Sequence, residues 1–453
     1  MKFKVFTKDL KAAMTTLKKG MYLNASLPIV TCIRFNTSED SVGMVGTDLE
    51  TMIAEEIPAV VESDGEACIA FKQLEACIKG KKKADHVTYF QVLDGRMILT
   101  VTGVVSQLSI QSVTEFPVIP QITTDIQMEL ASRIEKCLPF VSTEDDRRQI
   151  TGVHVHSKEH ELVFVATDGR TLKVVRGEPL HSTDGRHEFA ITIPGPACRL
   201  ITTKFKGHVL LGMLTVDEKE GPHQLRVHDA NRELVTKLIT QPYPDYESVL
   251  APAKDFTSTV EIEVERLPFL EIINTVCSMQ AKKNGYSKVH PVWMELVDGE
   301  MKIVYNDETA KASQTTSYTP FRSTGDVLMA WNPKFLIRAL QSFGCDYVTM
   351  YVKPLEANDR GNKLGMVLDP MYLAGDEGED TVIMPMKPDE DTKFGPDWVA
   401  EKREEERKAR LEEDAASFKR ATDEMAKQEE RAKAADEWTA NQKERSEDDE
   451  HPG

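Results

Sequence analysis

The spacing of apolar residues along this chain switches between alternation and helical periodicity, and the switches come in the same order three times. Leu10, Ala13, Met14 and Leu17 recur at helical spacing and predict a helix over 7–19, with Thr7 as its N-cap. Two alternating runs within 27–57 predict a strand pair around a Ser-Glu-Asp turn, followed by a corner at Thr47-Asp48. CIAFKQLEACIK then reads as a strand feeding a short helix. VTYFQVLD and RMILTVT around Asp94-Gly95, with QLSIQSV, complete the unit.

The order repeats from residue 126. A helix is predicted over 126–140, with Met128, Ile134 and Leu138 inward, followed by strands GVHVHS and ELVFVAT. Val163, Val165 and Thr167 alternate up to Asp168-Gly169, and Leu172 and Val174 resume beyond it, which predicts a tight hairpin whose central positions tolerate positive φ. FAITIPGPACRLITTKFKG is again strand into helix, and three strands lead to Pro242-Tyr243-Pro244-Asp245-Tyr246. A third pass holds the helix RLPFLEIINTVCSMQ, strands PVWMELVD and MKIVYND, a long strand through Ser317, and VLMAWNPKFLIRALQSFG with Asn332 as N-cap. It closes on strands YVTMYV, GMVLDP and TVIMPMK.

Corner aspartates Asp48, Asp168 and Asp307 lie 120 and 139 residues apart, a spacing of whole domains rather than of solenoid repeats. The predicted fold class is α+β: three copies of one domain, at 1–122, 123–252 and 253–387, with helices on one side and antiparallel sheets on the other. Residues 388–453 differ in kind. They are rich in Glu, Lys, Arg and Ala, and predict a charged helix or a solvated tail, with Leu411, Phe418, Met425 and Ala432 seven apart along it.

Charge changes the picture less than its total implies. The net is −18, but residues from Pro388 onward hold 22 acidic and 13 basic residues, a net of −9 and half of the total. An acidic balance therefore does not exclude a nucleic-acid partner; what matters is whether cations gather on one surface. Nearly every predicted helix carries such cations away from its apolar stripe: Lys8, Lys11, Lys72, Lys79, Arg133, Lys136, Arg199, Lys204, Lys334 and Arg338, with Arg147 and Arg148 in the segment after the second unit's first helix. Repeated helices would bring them to one lining that holds duplex DNA by its phosphates without reading sequence.

No segment reaches the length of a membrane span and the N-terminus has no signal-peptide core, so a soluble, intracellular (cytoplasmic) protein is expected. Seven scattered cysteines without a CxxC pair predict reduced core thiols. His154, His156 and His160 invite a metal reading in which Asp168 is a catalytic carboxylate, since alternate strand residues share a face. Two strand histidines beside a turn, and an aspartate shaping one, explain the same residues without chemistry. No phosphate loop, HExxH or GxSxG is present, so no catalytic residue, metal or cofactor is assigned.

Over residues 1–387 the chain resembles the bacterial sliding clamp, the β subunit of DNA polymerase III. The resemblance rests on the opening Met-Lys-Phe, Leu27-Pro28-Ile29, Gly46-Thr47-Asp48-Leu49-Glu50, the Ala166–Leu172 corner, Tyr243-Pro244-Asp245-Tyr246 with Val249-Leu250, and Val382-Ile383-Met384-Pro385-Met386. It implies a head-to-tail homodimer ring around duplex DNA, a processivity factor without chemistry that tethers DNA polymerase and engages a clamp loader through short peptide motifs. Carried over residue by residue, its partner-peptide pocket comprises Ile150, Thr167, Gly169, Arg170, Leu172, Pro244, Val249, Val382, Met384, Pro385 and Met386, an apolar groove with a few polar contacts. Ring closure would use Leu108 and Ile110 on an edge strand against Ile272, Val276 and Cys277 of the partner subunit. Arg170-Thr171 stands where the family often has His-Arg, which puts the preferred peptide in doubt, and the family usually ends just after the Met-Pro-Met segment. The other readings are a metal-dependent enzyme centred on His154 and His156, and a clamp-like scaffold that does not tether DNA.

Overall fold

The structure is a computed structural model that describes residues 1–80, 86–118, 122–123, 126–158, 161–178, 188–215, 221–256, 260–278, 291–297, 300–306, 311–317, 319–322, 327–352 and 370–386. Three units follow one plan. The first opens with strand Lys2–Phe6 and helix α1 (Thr7–Leu17), runs through Cys32–Ser38, Ser41–Thr47 and Thr51–Pro58 to Glu66–Ala70 and α2 (Phe71–Ile78), and closes with Val87–Leu93, Arg96–Val101 and Val104–Gln111. The second opens with Ile126–Glu129 and α3 (Ala131–Cys137) and continues through Gly152–Lys158, Glu161–Thr167 and Thr171–Gly177. Phe189–Pro194 feeds α4 (Gly195–Lys204), three strands end at Arg232–Lys237, and α5 (Glu247–Ala253) follows. The third has Val260–Glu265, α6 (Arg266–Ser278), Val292–Val297, Glu300–Asn306, Lys311–Ser317, Val327–Trp331, α7 (Pro333–Ser342), Tyr347–Val352, Met371–Ala374 and Glu379–Ile383.

Several elements depart from the periodicity. Residues 126–129 are a strand paired with His208–Thr215, not the first turn of a helix; Ile126 and Met128 are buried by alternation, and a four-residue run cannot separate that from helical spacing. Corresponding short strands open all three units. Between Tyr347–Val352 and Glu379–Ile383 the strand is Met371–Ala374, whereas most of GMVLDP lies outside the described residues, as do His160, Asp307 and everything from Lys387 onward.

Units join edge to edge by strand pairing, so sheets run across the boundaries. Thr51–Pro58 pairs with Arg232–Lys237, placing Ile53 opposite Leu234, and Thr171–Gly177 pairs with Glu379–Ile383, placing Leu172 opposite Val382. Each seam thus joins the strand after a corner to the last strand of the next unit. Behind the sheets the helices form one row. Lys18 of the 3-10 turn extending α1 pairs with Glu75 of α2 at 2.9 Å; Gly20 packs on Leu200 of α4; α4 packs on α3; Arg338 of α7 donates to Pro139 O beyond α3; and α7 packs on α6. The row reads α2-α1-α4-α3-α7-α6, and its apolar faces with the inner sheet faces build the main core.

Candidate partner-binding groove

At the second seam the sheet is buried on both faces. Leu162, Phe164 and Ala166 point into the main core, while Val163 and Val165 point outward with Leu172, Val174, Val382 and Tyr372. The outer cluster is covered by Leu250 and Ala253 of α5 and by Tyr243 and Tyr246 before it. Asp245 accepts from the Glu247 amide at 3.2 Å and its carbonyl accepts from the Ser248 hydroxyl, which starts the helix. That polar start after two prolines was the available signal for α5, an element not predicted.

His154 and His156 anchor this cover. The His154 ring stacks on Tyr243 with centroids 4.6 Å apart and Nδ1 lies 3.0 Å from the Thr192 hydroxyl, while His156 Nε2 is 2.9 Å from the Tyr246 hydroxyl. Burial, helped by the neighbouring His156 charge, lowers the His154 pKa to about 4. Among the described residues no three His, Cys, Asp or Glu side chains are arranged to hold a metal. No described helix is long and apolar enough to cross a membrane.

The corner is a three-residue connection, Asp168-Gly169-Arg170, not the two-residue turn expected. Only Gly169 has positive φ, at 82°; Asp168 Oδ1 accepts from the amides of Arg170 at 3.0 Å and Thr171 at 2.8 Å, and Thr167 Oγ1 accepts from the Gly169 amide. The first unit repeats this: Asp48 Oδ1 accepts from Glu50 and Thr51, and Leu49 takes the positive φ, at 77°. Asp168 Oδ2 instead receives Arg338 Nη2 of the third unit at 2.7 Å, and the Arg338 guanidinium lies over the rings of Phe140 and Phe335 at 5.0 and 5.1 Å. Burial works to raise the Asp168 pKa, but the Arg338 hydrogen bond and charge outweigh it and hold the carboxyl below its ordinary value.

Charges clamp the same seam from below. Lys173, with no exposed surface, lies 2.7 Å from Glu379, 3.1 Å from the Thr381 hydroxyl and 4.0 Å over the Phe343 ring. Lys136 pairs with Glu379 and, at 3.5 Å, with Asp376. Asp380 gathers Arg176 at 2.5 Å, Lys254 at 2.8 Å and the Tyr372 hydroxyl at 2.5 Å.

Of the residues expected to form the pocket, Leu172 and Val382 meet at this seam and Met384 is tied to Arg170. Leu172 and Val382 are buried in the outer cluster and Ile150 is also buried; Val249 and Met384 are 42% and 38% exposed; Gly169, Arg170 and Pro244 are exposed; Thr167, Pro385 and Met386 are half-buried. Backbone bonds fix the far wall, Met384 N to Arg170 O at 2.9 Å and Met386 N to Ala330 O at 2.8 Å. Val249 and Met384 thus lie at the surface beside exposed Arg170, at the margin of the covered apolar cluster.

Three cations expected in a DNA channel sit elsewhere, which is a correction. Arg338 holds the corner, Lys136 is taken up by the carboxylates of the seam, and Arg147, paired with Glu144, lies so close over Gly169 that a Cβ there would be 2.6 Å from its guanidinium. Arg133 folds back on Glu129 at 3.1 Å. On the helix row Lys8, Lys72, Lys79, Arg199 and Lys334 are exposed, with Arg148 exposed beyond α3 and Lys11 and Lys204 half-buried. Leu108 and Val276 are also corrected: both are buried in the main core, and Ile110 and Ile272 pack against it half-buried. Cys277 falls within α6, and its side chain is outside the described residues. The exposed apolar residues of that strand are Val104 and Val105, at 57% and 62%.

Three repeated units with a row of helices behind sheets continuous across the seams constitute the sliding-clamp fold. The DNA polymerase sliding clamp of Bacillus subtilis matches with a TM-score of 0.73 at 20% identity, covering 86% of this chain and 100% of that one. The DNA polymerase III subunit beta of Pseudomonas aeruginosa matches with 0.72 at 16% identity and the same coverage. The Helicobacter pylori beta clamp, solved bound to a DNA ligase peptide, matches with 0.71 at 19% identity, covering 85% of this chain and 100% of that one. In sequence the chain is similar to the beta sliding clamp of Chlamydia pneumoniae, 21% identical over 389 residues that cover 83% of this chain and 100% of the relative. The beta sliding clamp homolog GriR of Streptomyces muensis is 23% identical over 352 residues, covering 77% and 90%. No protein-family model matches. The chain thus has the fold of the bacterial sliding clamps and is similar in sequence to several of them.

Proposed function

We propose that this protein is a non-catalytic DNA sliding clamp that closes into a two-copy ring around duplex DNA and tethers a DNA polymerase and other partners through their short peptides. The observation that carries the reading is the arrangement of edges. Both seams join the strand after a corner to the closing strand of the next unit, and one strand of each kind is left over. Among the described residues, Lys311–Ser317 is an edge of its four-stranded sheet, and Val104–Ser109 pairs only with Arg96–Val101. Exposed Val104 and Val105 on an open edge invite pairing with another chain. Two copies joined head to tail at these edges satisfy both strands at once and bring twelve helices around a central hole.

Lys8, Lys72, Lys79, Arg199 and Lys334 then face the hole and hold phosphates without base contacts. The groove takes an apolar peptide anchor, as fits a relative solved with a DNA ligase peptide. Encircling the chromosome makes the protein nucleoid-associated in the cytoplasm. The test is retention on nicked circular DNA after treatment with a clamp loader. A ring stays on the circle at raised salt and leaves when the circle is linearised; salt-sensitive binding that ignores linearisation refutes encirclement.

A further inference from the structure

We propose that the groove has a ligand within this chain, the segment Phe394–Val399, which folds back onto it and competes with partner peptides. This rests on reading the groove as a peptide site. The chain leaves the groove at its own wall: Met384 is bonded to Arg170, Met386 to Ala330, and 67 residues follow Met386. Those residues are overwhelmingly polar, yet Phe394-Gly395-Pro396-Asp397-Trp398-Val399 concentrates two aromatic residues and a valine around a Gly-Pro pair, a turn-forming dipeptide.

Phe394 stands 8 residues beyond Met386. At ~3.3–3.6 Å per residue an extended connection spans up to about 28 Å, enough to reverse direction and return to a groove whose wall begins two residues before the tether. Chemistry also matches. Aromatic anchors suit the apolar surface that exposed Val249 and Met384 present beside buried Leu172 and Val382, and the acidic run Asp389-Glu390-Asp391 with Asp397 complements Arg170, exposed beside them. A short tether sets an effective concentration on the order of millimolar, so a segment whose intrinsic affinity is only on the order of 100 µM still weakens a competitor about tenfold.

The experiment uses the full chain with griselimycin as probe, a ligand with which a Pseudomonas aeruginosa clamp has been solved. Val249→Asp with Met384→Asp establishes that the probe reads the groove. The expected result is that Phe394→Ala with Trp398→Ala binds the probe about tenfold more tightly than the unaltered chain. In a Trp438→Phe background, where Trp293 and Trp331 are buried and constant, adding probe should shift Trp398 emission to the red. Equal affinity in both chains, with the groove variant still abolishing binding, overturns the inference and leaves the peptide site standing. Probe binding that ignores the groove variant, or no binding in any variant, overturns both.

Discussion

Arg338 offers a measurable link between the third unit and the corner that presents Arg170 and Leu172. Its side chain and that of Asp168 are 21% and 17% exposed, so the pair is largely withdrawn from water. Removing one member of a buried pair costs ~3–5 kcal/mol because the other is left uncompensated; with about a fifth of each side chain still wet, roughly 2–3 kcal/mol is expected for Arg338→Met. Asp168→Asn keeps an oxygen for the amides of Arg170 and Thr171 and loses only the charge, so about 1–2 kcal/mol is expected. In the double variant neither charge is stranded, and the losses should fall short of additivity by about 1–2 kcal/mol. Guanidinium unfolding followed through buried Trp293 and Trp331 in the third unit gives the cycle, and probe affinity for the groove should fall in the same order. Because the Asp168 pKa is depressed, its contribution is complete above the ordinary carboxylate range and disappears as pH falls through the lower folded value; at neutral pH the full coupling is present. Additivity within about 0.5 kcal/mol would refute a corner held by Arg338.

Val105→Asp should place a charge on the open edge and lower self-association without unfolding the chain, since Val105 is 62% exposed; sedimentation showing unchanged dimer would count against closure there. Reversing Lys8, Arg199 and Lys334 to Glu should slow loading onto DNA and flatten its salt dependence, with unchanged loading kinetics excluding them from the DNA path. His154 titrates near 4 in the fold against an ordinary value of 6.5, so the native state binds fewer protons between those values and loses stability as pH falls from 6.5 towards 4, by up to roughly 3 kcal/mol. His154→Gln should flatten the melting temperature across that window, and an unchanged slope would acquit the histidine.

Legibility followed sequence separation. The corner at Asp168 was readable because the hydrogen bonds that shape its loop span at most four residues, and so were α1, α4 and α7, whose apolar stripes are long enough to fix a period. The partners of Lys136, Lys173 and Arg338 lie 243, 208 and 170 residues away, and no spacing rule reaches that far; a cation off the apolar stripe of a helix looks the same whether it faces solvent or a carboxylate from another unit. Leu108 failed on parity. Met97, Leu99 and Val101 point inward, and Met97 is paired directly with Leu108, so the register carries that side chain inward too while Val105 stays out. A shift of one residue exchanges core for interface, and only the neighbouring strand decides it.

Repetition creates a problem of specificity that the seams answer. If every unit ends and begins with the same strand geometry, any closing strand can add to any corner strand, and the ring, an open filament and a misjoined chain compete. The two seams share backbone geometry: Lys237 N donates to Glu50 O as Met384 N donates to Arg170 O, and Glu56 N to Asn231 O as Arg176 N to Gly378 O. Their side chains differ. The first seam is closed by Arg232 with Glu55 at 3.1 Å, Lys237 with Glu50 at 3.0 Å and a pair of threonine hydroxyls, with arginine on the closing strand and glutamate on the corner strand. The second reverses that polarity, with Glu379 and Asp380 on the closing strand and Lys173 and Arg176 on the corner strand. Exchanging partners would set Arg232 against the cations of the second unit and Glu379 against Glu55, so each wrong pairing buries like charges while each right one neutralises them. Ion pairs that add little net stability thereby favour each unit's own partner over the other, whereas the edge at Val104–Ser109 carries no charge and exposes Val104 and Val105.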